Sequence, residues 1–384
     1  MKKFVEKCVI ILFCMLSINN FAVYAADSGE SIYSQDTLEF DVLDEIDDTQ
    51  INEMLSEMFA QKMDFKVMVM QLLNGEKKLD ADSLLELVKT VFLYQLDENK
   101  KSLVTVFLLC VMAALFTNFT KVLDKGSVAQ IGFYILFLLL IAVLLRSFSV
   151  TYEIASSLLN QMTRFMKVLL PAFFVTIIAA KGANTALIFY QIILVSIYMV
   201  ETLLLKFVLP LCNVYVVINL INQISKEDLF SKMGELLKNI IVWAVKWLFA
   251  FVMGINAVHS IIAPAVDQFK NSVFSKTISA IPGIGSTMGG ISDVVIGSGV
   301  LIKNGVGTAI LILLSLLILT PMVKLFCCML MYKLTAALIQ PVSDKRMINM
   351  VDAVSLGTGL LIKCVSSVAA LFFLTMAVLT VAAG

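Results

Sequence analysis

Apolar residues run along most of this chain in blocks too long for ordinary soluble helices and too continuous for half-buried strands. They fall at about 102–120, 128–145, 165–180, 183–205, 207–224, 239–262, 281–302, 304–320, 321–340 and 353–382. A helix needs about 20 apolar residues to cross about 30 Å of hydrocarbon, so the pattern predicts an all-α, polytopic helical membrane protein. Several blocks are shorter than that, and adjoining pairs could be re-entrant hairpins. The expectation is a membrane domain over 101–384 with six to ten segments.

The residues ahead of that domain follow other patterns. Over 1–25, Lys2, Lys3 and Lys7 precede an apolar stretch from Cys8 to Leu16, and Val23-Tyr24-Ala25 closes it with small residues at the last and third-last positions. This reads as a signal peptide cleaved after Ala25; an uncleaved anchor is the alternative, and both put residue 27 onward outside the cytoplasm. Over 26–50 acids abound without a base, and few large side chains are present to offset the entropy of ordering, so a disordered acidic lead is expected. Over 51–100, Ile51, Leu55, Met58, Phe59, Phe65, Met68, Val69 and Leu72 recur at three- and four-residue spacing. That spacing predicts a small extracytoplasmic helical region. Its Met-rich face would dock on a partner, on the membrane domain or on the bilayer.

Composition sharpens this picture. The 384 residues are 59% hydrophobic and 15% charged, with a mean hydropathy of +0.92, whereas soluble domains are about 25% charged. The 29 bases and 29 acids balance. Residues 27–100 nevertheless carry 18 acids and 6 bases, and residues 101–384 carry 10 acids and 20 bases. With residue 100 outside and strict alternation of the blocks, Lys121, Lys125, Lys181, Lys226, Lys232, Lys238, Lys303, Lys345 and Arg346 fall in the cytoplasm. Arg146, Arg164, Lys167, Lys270 and Lys276 fall on the outer connections, as the positive-inside rule asks.

Candidate chemistry is sparse. His259 is the single histidine, which removes His-pair zinc sites and leaves any triad dependent on one residue in an apolar run. The seven cysteines form no framework: five lie in apolar blocks, and Cys8 and Cys14 lie in the signal. No cofactor, no metal, no nucleic acid partner and no enzymatic activity is expected. The most unusual stretch contains Gly283, Gly285, Gly289 and Gly290. It lacks the Gly-Lys-Ser/Thr ending of a phosphate loop, so its glycines serve close helix packing or a re-entrant element lining a pore. Lys246, Lys363 and Asp293 are ionisable groups in apolar surroundings, and Asp293 could neutralise one of the lysines; pairing within the bundle and a solute path are both open. Pro171 and Pro210 are spaced like Pro282 and Pro321, which raises an internal duplication of the kind transporters and channels use.

From Ile281-Pro282-Gly283-Ile284-Gly285 through Ser292-Asp293, then Leu301-Ile302-Lys303-Asn304-Gly305-Val306-Gly307 and Tyr332-Lys333-Leu334-Thr335-Ala336-Ala337-Leu338-Ile339-Gln340-Pro341, the chain resembles stage III sporulation protein AE of endospore-forming bacteria. The resemblance implies a mother-cell protein in the membrane around the forespore. It also implies membership of a channel or secretion-like complex with ring-forming and ATPase partners, needed for forespore development after engulfment. It carries no catalytic motif onto any residue here. Two rivals remain, a secondary transporter or permease for a small solute and a membrane scaffold without a transport path. A homo-oligomer is compatible with each.

Overall fold

The computed structural model describes residues 49–59, 65–73, 127–181, 183–224, 229–278, 285–341 and 343–381, with short helical pieces at 93, 104–108, 111–112 and 115. From 258 to 304 only the helical backbone is described. The signal segment with Ala25, the acidic lead, Gly283 and most of 74–126 lie outside the described residues.

Two short helices, α1 (Thr49–Phe59) and α2 (Phe65–Leu73), precede the long ones. The Phe65 N–H donates to Asn52 Oδ1 at 2.8 Å, which fixes the corner between them. Ile51, Met54, Phe65 and Val69 are buried in the same core as the long helices, with α2 packed on the helix that ends at Ile339; the side chains of Leu55, Met58, Phe59, Met68 and Leu72 lie outside the described residues.

The long helices are α3 (Ser127–Lys181), α4 (Ala183–Met199), a π-helical segment (Val200–Val208), α5 (Leu209–Asn222), α6 (Ser231–Ile278), α7 (Gly285–Ile339) and α8 (Lys345–Val381). Five stretches among them are long and apolar enough to cross a membrane: Tyr134–Ile178, Tyr190–Asn222, Ser231–Ile255, Gly305–Ile339 and Lys345–Ala377. The protein is thus a multi-pass, all-α membrane protein.

The contacts define an up-and-down bundle. Gly357 of α8 lies against Phe148 of α3, and Arg346 sits over the Phe137 ring at 5.7 Å, so α3 and α8 run parallel. Lys333 pairs with Asp352 while Ser355 Oγ donates to the Met329 carbonyl, which sets α7 antiparallel to α8. Gln223 meets Asn349, and Val216 meets Gly357, so α5 is antiparallel to α8 as well. The α7–α8 turn is closed by Asp344, whose carboxylate accepts from the Arg346 N–H at 2.9 Å as an N-cap. Phe137, Phe148, Phe165, Phe173 and Phe372 fill the interior. Close packing of this kind holds helices together where lipid removes the hydrophobic drive.

Several expectations are corrected. The blocks 128–145 and 165–180 were expected to be separate crossings, with Arg146, Arg164 and Lys167 on an outer connection; they are one helix, α3. The reason is visible in the intervening residues, which hold no Gly or Pro and bury Phe148, Thr151, Ala155, Leu158, Met162 and Phe165 at helical spacing. Blocks 183–205 and 207–224 are likewise continuous. Pro210 has no N–H and its ring crowds the carbonyl four residues back; the chain absorbs this by widening into a π segment, where the Leu209 N–H donates to the Leu204 carbonyl.

The blocks from Gly285 to Ile339 form a single helix with Pro321 inside it. Gly285, Gly289 and Gly290 lie in the first turns of this helix, while Gly283 and the rest of 279–284 lie outside the described residues. The strict alternation fails with it: Lys181 and Lys303 lie at the opposite end of the bundle from the turn carrying Lys345 and Arg346. The proline pairs also sit differently, Pro210 after a π segment and Pro321 within unbroken α-helix.

Candidate functional site

Of the sequence-marked residues, Lys246 and Lys363 have described side chains, while Gly283 and the Asp293 side chain lie outside the described residues. Gly285, Gly289, Gly290 and Asp293 occupy the first turns of α7 as backbone positions. The Lys246 and Lys363 side chains are exposed on the outside of α6 and α8, not enclosed in the bundle. Trp243 and Trp247 flank Lys246 on the same outer face, 64% and 56% exposed, with ring centroids 5.2 Å apart in an edge-to-face pair. Cys212, Cys327, Cys328 and Cys364 are buried, and no cluster able to hold a metal ion occurs among the described residues. Between Met166, Leu169, Leu170, Phe173, Ile193, Ile310 and Met376 there is a wholly apolar cavity of about 10 Å³, too small for any solute.

The structure brings forward a different feature. Along α3 the side chains of Arg146, Ser149, Glu153, Ser157, Asn160, Gln161, Arg164 and Lys167 are all outward or partly outward, at intervals of three and four. They form a polar stripe about 30 Å long. It lies inside the apolar stretch Tyr134–Ile178, with apolar residues on both sides. Asn160 Nδ2 donates to the Ser156 carbonyl at 2.9 Å and Gln161 Nε2 to Ser157 Oγ at 3.3 Å, so the amides bond to their own helix and still face outward. At the end of the stripe Lys167 pairs with Glu201 of the π segment.

The π segment positions that acid. Its buried residues are Val200, Leu204 and Val208, a spacing of four that fits the wider turn. Glu201 follows Val200 and is turned toward α3. The sequence does not join the pair, because Lys167 falls where the charges suggest an outer connection and Glu201 lies 34 positions on, in another block. The signal that finds the stripe is a polar face at helical spacing opposite a buried apolar one.

A family profile described as Stage III sporulation protein AE matches residues 63–383, nearly the whole length of these helices. The chain belongs to the stage III sporulation protein AE family. A curated member, Stage III sporulation protein AE of Bacillus subtilis (strain 168), is 24% identical over 316 residues, covering 82% of this chain and 79% of that protein. No solved structure matches. The matched region begins between α1 and α2 and takes in both the α3 stripe and the Glu201 π segment. As a stage III sporulation protein AE, the chain is a sporulation-related multi-pass membrane protein.

Proposed function

We propose that this protein is an integral membrane component of a channel or secretion-like complex between mother cell and forespore, residing in the mother-cell membrane around the forespore and working by docking and passage without covalent chemistry. The observation that carries the reading is the α3 stripe. Charged and amide side chains directed at lipid cost several kcal/mol, and intramembrane ionisable groups face protein or a watery cavity. In the assembled state this face is therefore covered by other subunits or by water. Its partners in the proposal are the ring-forming and ATPase proteins of the same sporulation stage, with α1 and α2 on the outer side of the membrane.

The permease reading needs a solute site between helices, and the small apolar cavity beside Phe173 and Ile310 has neither the room nor the polar groups to be one. The permease reading predicts that the α3 stripe can be made apolar without loss of assembly. Deleting the gene from its endospore-forming host tests the proposal: development is expected to stop after engulfment, and normal spores would overturn it.

A further inference from the structure

Phe148, Val216 and Leu237 belong to three different helices and lie level in the bundle. A Cβ on Gly357 of α8 would touch both Val216 of α5 and Phe148 of α3. Gly234 of α6 lies against Asn219 of α5, and the turn between them is held by the Phe230 N–H donating to Asn222 Oδ1 at 2.7 Å. Helices α5 and α6 are therefore antiparallel, so the three residues back from Asn219 to Val216 match the three on from Gly234 to Leu237. Both α3 and α6 run parallel to α8, and positions counted equally from Phe148 and from Leu237 stay at about one height.

One edge of α6 carries Glu235, Asn239 and Lys246, followed by Ala250, Gly254 and Ala257, all exposed and spaced three, four or seven residues apart. A Cβ on Gly254 would meet nothing within 4 Å. The neighbouring strip of the same helix is Leu236, Ile240, Trp247 and Phe251, exposed and apolar as a lipid-facing surface is, with Trp243 on the boundary between the two. Compared by height with the α3 stripe, Glu235 is level with Arg146 and Ala250 with Gln161. Glu153 falls between Asn239 and Lys246, within about 6 Å of the height of each. Base thus stands opposite acid, acid opposite base and amide, and a long amide opposite a small side chain. Arg146, Glu153 and Lys246 have no ion partner among the described residues, and Glu235, paired with Lys232, is still 61% exposed. Within one chain α3 packs mainly on α7 and α4, and α6 on α8 and α5, so the stripe and the α6 edge are two separate surfaces.

We infer that the α3 stripe of one copy docks on the α6 edge of a second copy, a head-to-tail contact in which Arg146 meets Glu235, Glu153 meets Lys246 and Gln161 lies over Ala250. The inference rests on the reading that protein covers the α3 face, and it names that protein. Copies inserted in one membrane share one orientation, so only groups at equal depth can pair, and the two surfaces match in that parallel register. Ionised side chains within a membrane are costly until they are paired, and small residues let a neighbouring helix come close. The two surfaces differ, so the contact is heterologous: each copy offers its α6 edge to one neighbour and its α3 stripe to another.

The test expresses two full-length chains with different tags together in the sporulating host. With Gln161→Cys in one chain and Ala250→Cys or Gly254→Cys in the other, mild oxidation is expected to give a disulfide-linked dimer carrying both tags, which requires Cα atoms within about 7 Å. Gln161→Cys with Phe251→Cys, on the lipid-facing strip, is expected to give none, as is either cysteine alone. No mixed-tag dimer at 250 or 254 overturns the inference. In a second arm, Glu153→Lys in both chains, or Lys246→Glu in both, sets like charges against each other at every contact and should lower recovery of one tag with the other at least about tenfold. Glu153→Lys in one chain with Lys246→Glu in the other restores opposite charges where the two chains alternate, and should bring recovery back. Unchanged recovery with the single variants contradicts the contact. The cysteine arm leaves the charges untouched and decides the question even where a reversed chain does not fold. A photo-crosslinker at 161 that captures only a different protein overturns this inference and leaves the covered face standing, whereas capture of lipid alone overturns both.

Discussion

Lys167 of α3 forms an ion pair with Glu201, the second residue of the π segment, joining two elements that the sequence separates by 34 positions. Both side chains are partly exposed, so the pair tacks the polar stripe to its neighbour without being sealed in the core. Reversing either charge places like charges together. We expect Lys167→Glu and Glu201→Lys each to lower the amount of folded chain in the membrane, and the double reversal to recover it. A double-mutant cycle should give a coupling of about 0.2–1 kcal/mol, the range for a pair of this exposure. No recovery in the double variant would show that the two residues do not act on one another.

Gly357 marks a close approach of α8 to α5 and α3. A Cβ there would come within 2.1 Å of Val216 Cγ2 and 3.1 Å of Phe148 Cε2, and Val216 is a stiff, fully buried β-branched residue. Gly357→Ala is expected to cost about 1–3 kcal/mol by overpacking. Gly254 has nothing within 4 Å of the same construction, so Gly254→Ala should stay within about 0.5 kcal/mol. Thermal denaturation of the two variants in one detergent compares them directly, and equal losses would contradict the α5–α8 contact.

Asp344 holds the start of α8 through the Arg346 N–H. Asp344→Ala is expected to lower stability by about 1 kcal/mol, while Asp344→Asn keeps most of it because the amide oxygen can still accept. The same melting measurement tells the cap apart from a charge effect: if Asn behaves like Ala, the charge and not the cap is what matters.

The α3 stripe serves association more than folding. Glu153→Leu with Gln161→Leu removes two outward polar groups that contribute little to the core. The isolated double variant should melt at or above the parent temperature, while its co-purification with partner proteins from sporulating cells falls at least about tenfold, the scale of losing about 1.4 kcal/mol. A variant that melts early and still co-purifies would reverse this assignment.

The membrane class was legible from the apolar blocks, and the two short helices from the spacing that includes Ile51, Phe65 and Val69, although buried Met54 was not part of that pattern. Continuity was not. Arg146, Arg164 and Lys167 lower the local hydropathy enough to look like a connection, although Phe148, Ala155, Leu158, Met162 and Phe165 keep a helical repeat straight through it. Hydropathy averages over all faces of a helix, whereas periodicity separates them, and only the second carried the information here. Lys206 and Pro210 look like a boundary in the same way, although the chain runs through them by widening into a π turn. Lys246 and Lys363 stand among apolar neighbours in sequence, which does not say which way they face. Their exposure follows from which face of α6 and α8 meets the bundle, a property of the packing of five helices that no single segment contains.

The account turns on whether the outward face of α3 is covered by protein in the assembled membrane. A photo-crosslinking amino acid at position 161, in the full chain expressed from its own locus in sporulating cells, reads this in place. After illumination the account predicts discrete protein adducts, each of the mass of this chain plus one partner or a second copy. Adducts with lipid alone would show the stripe facing the bilayer and would contradict it.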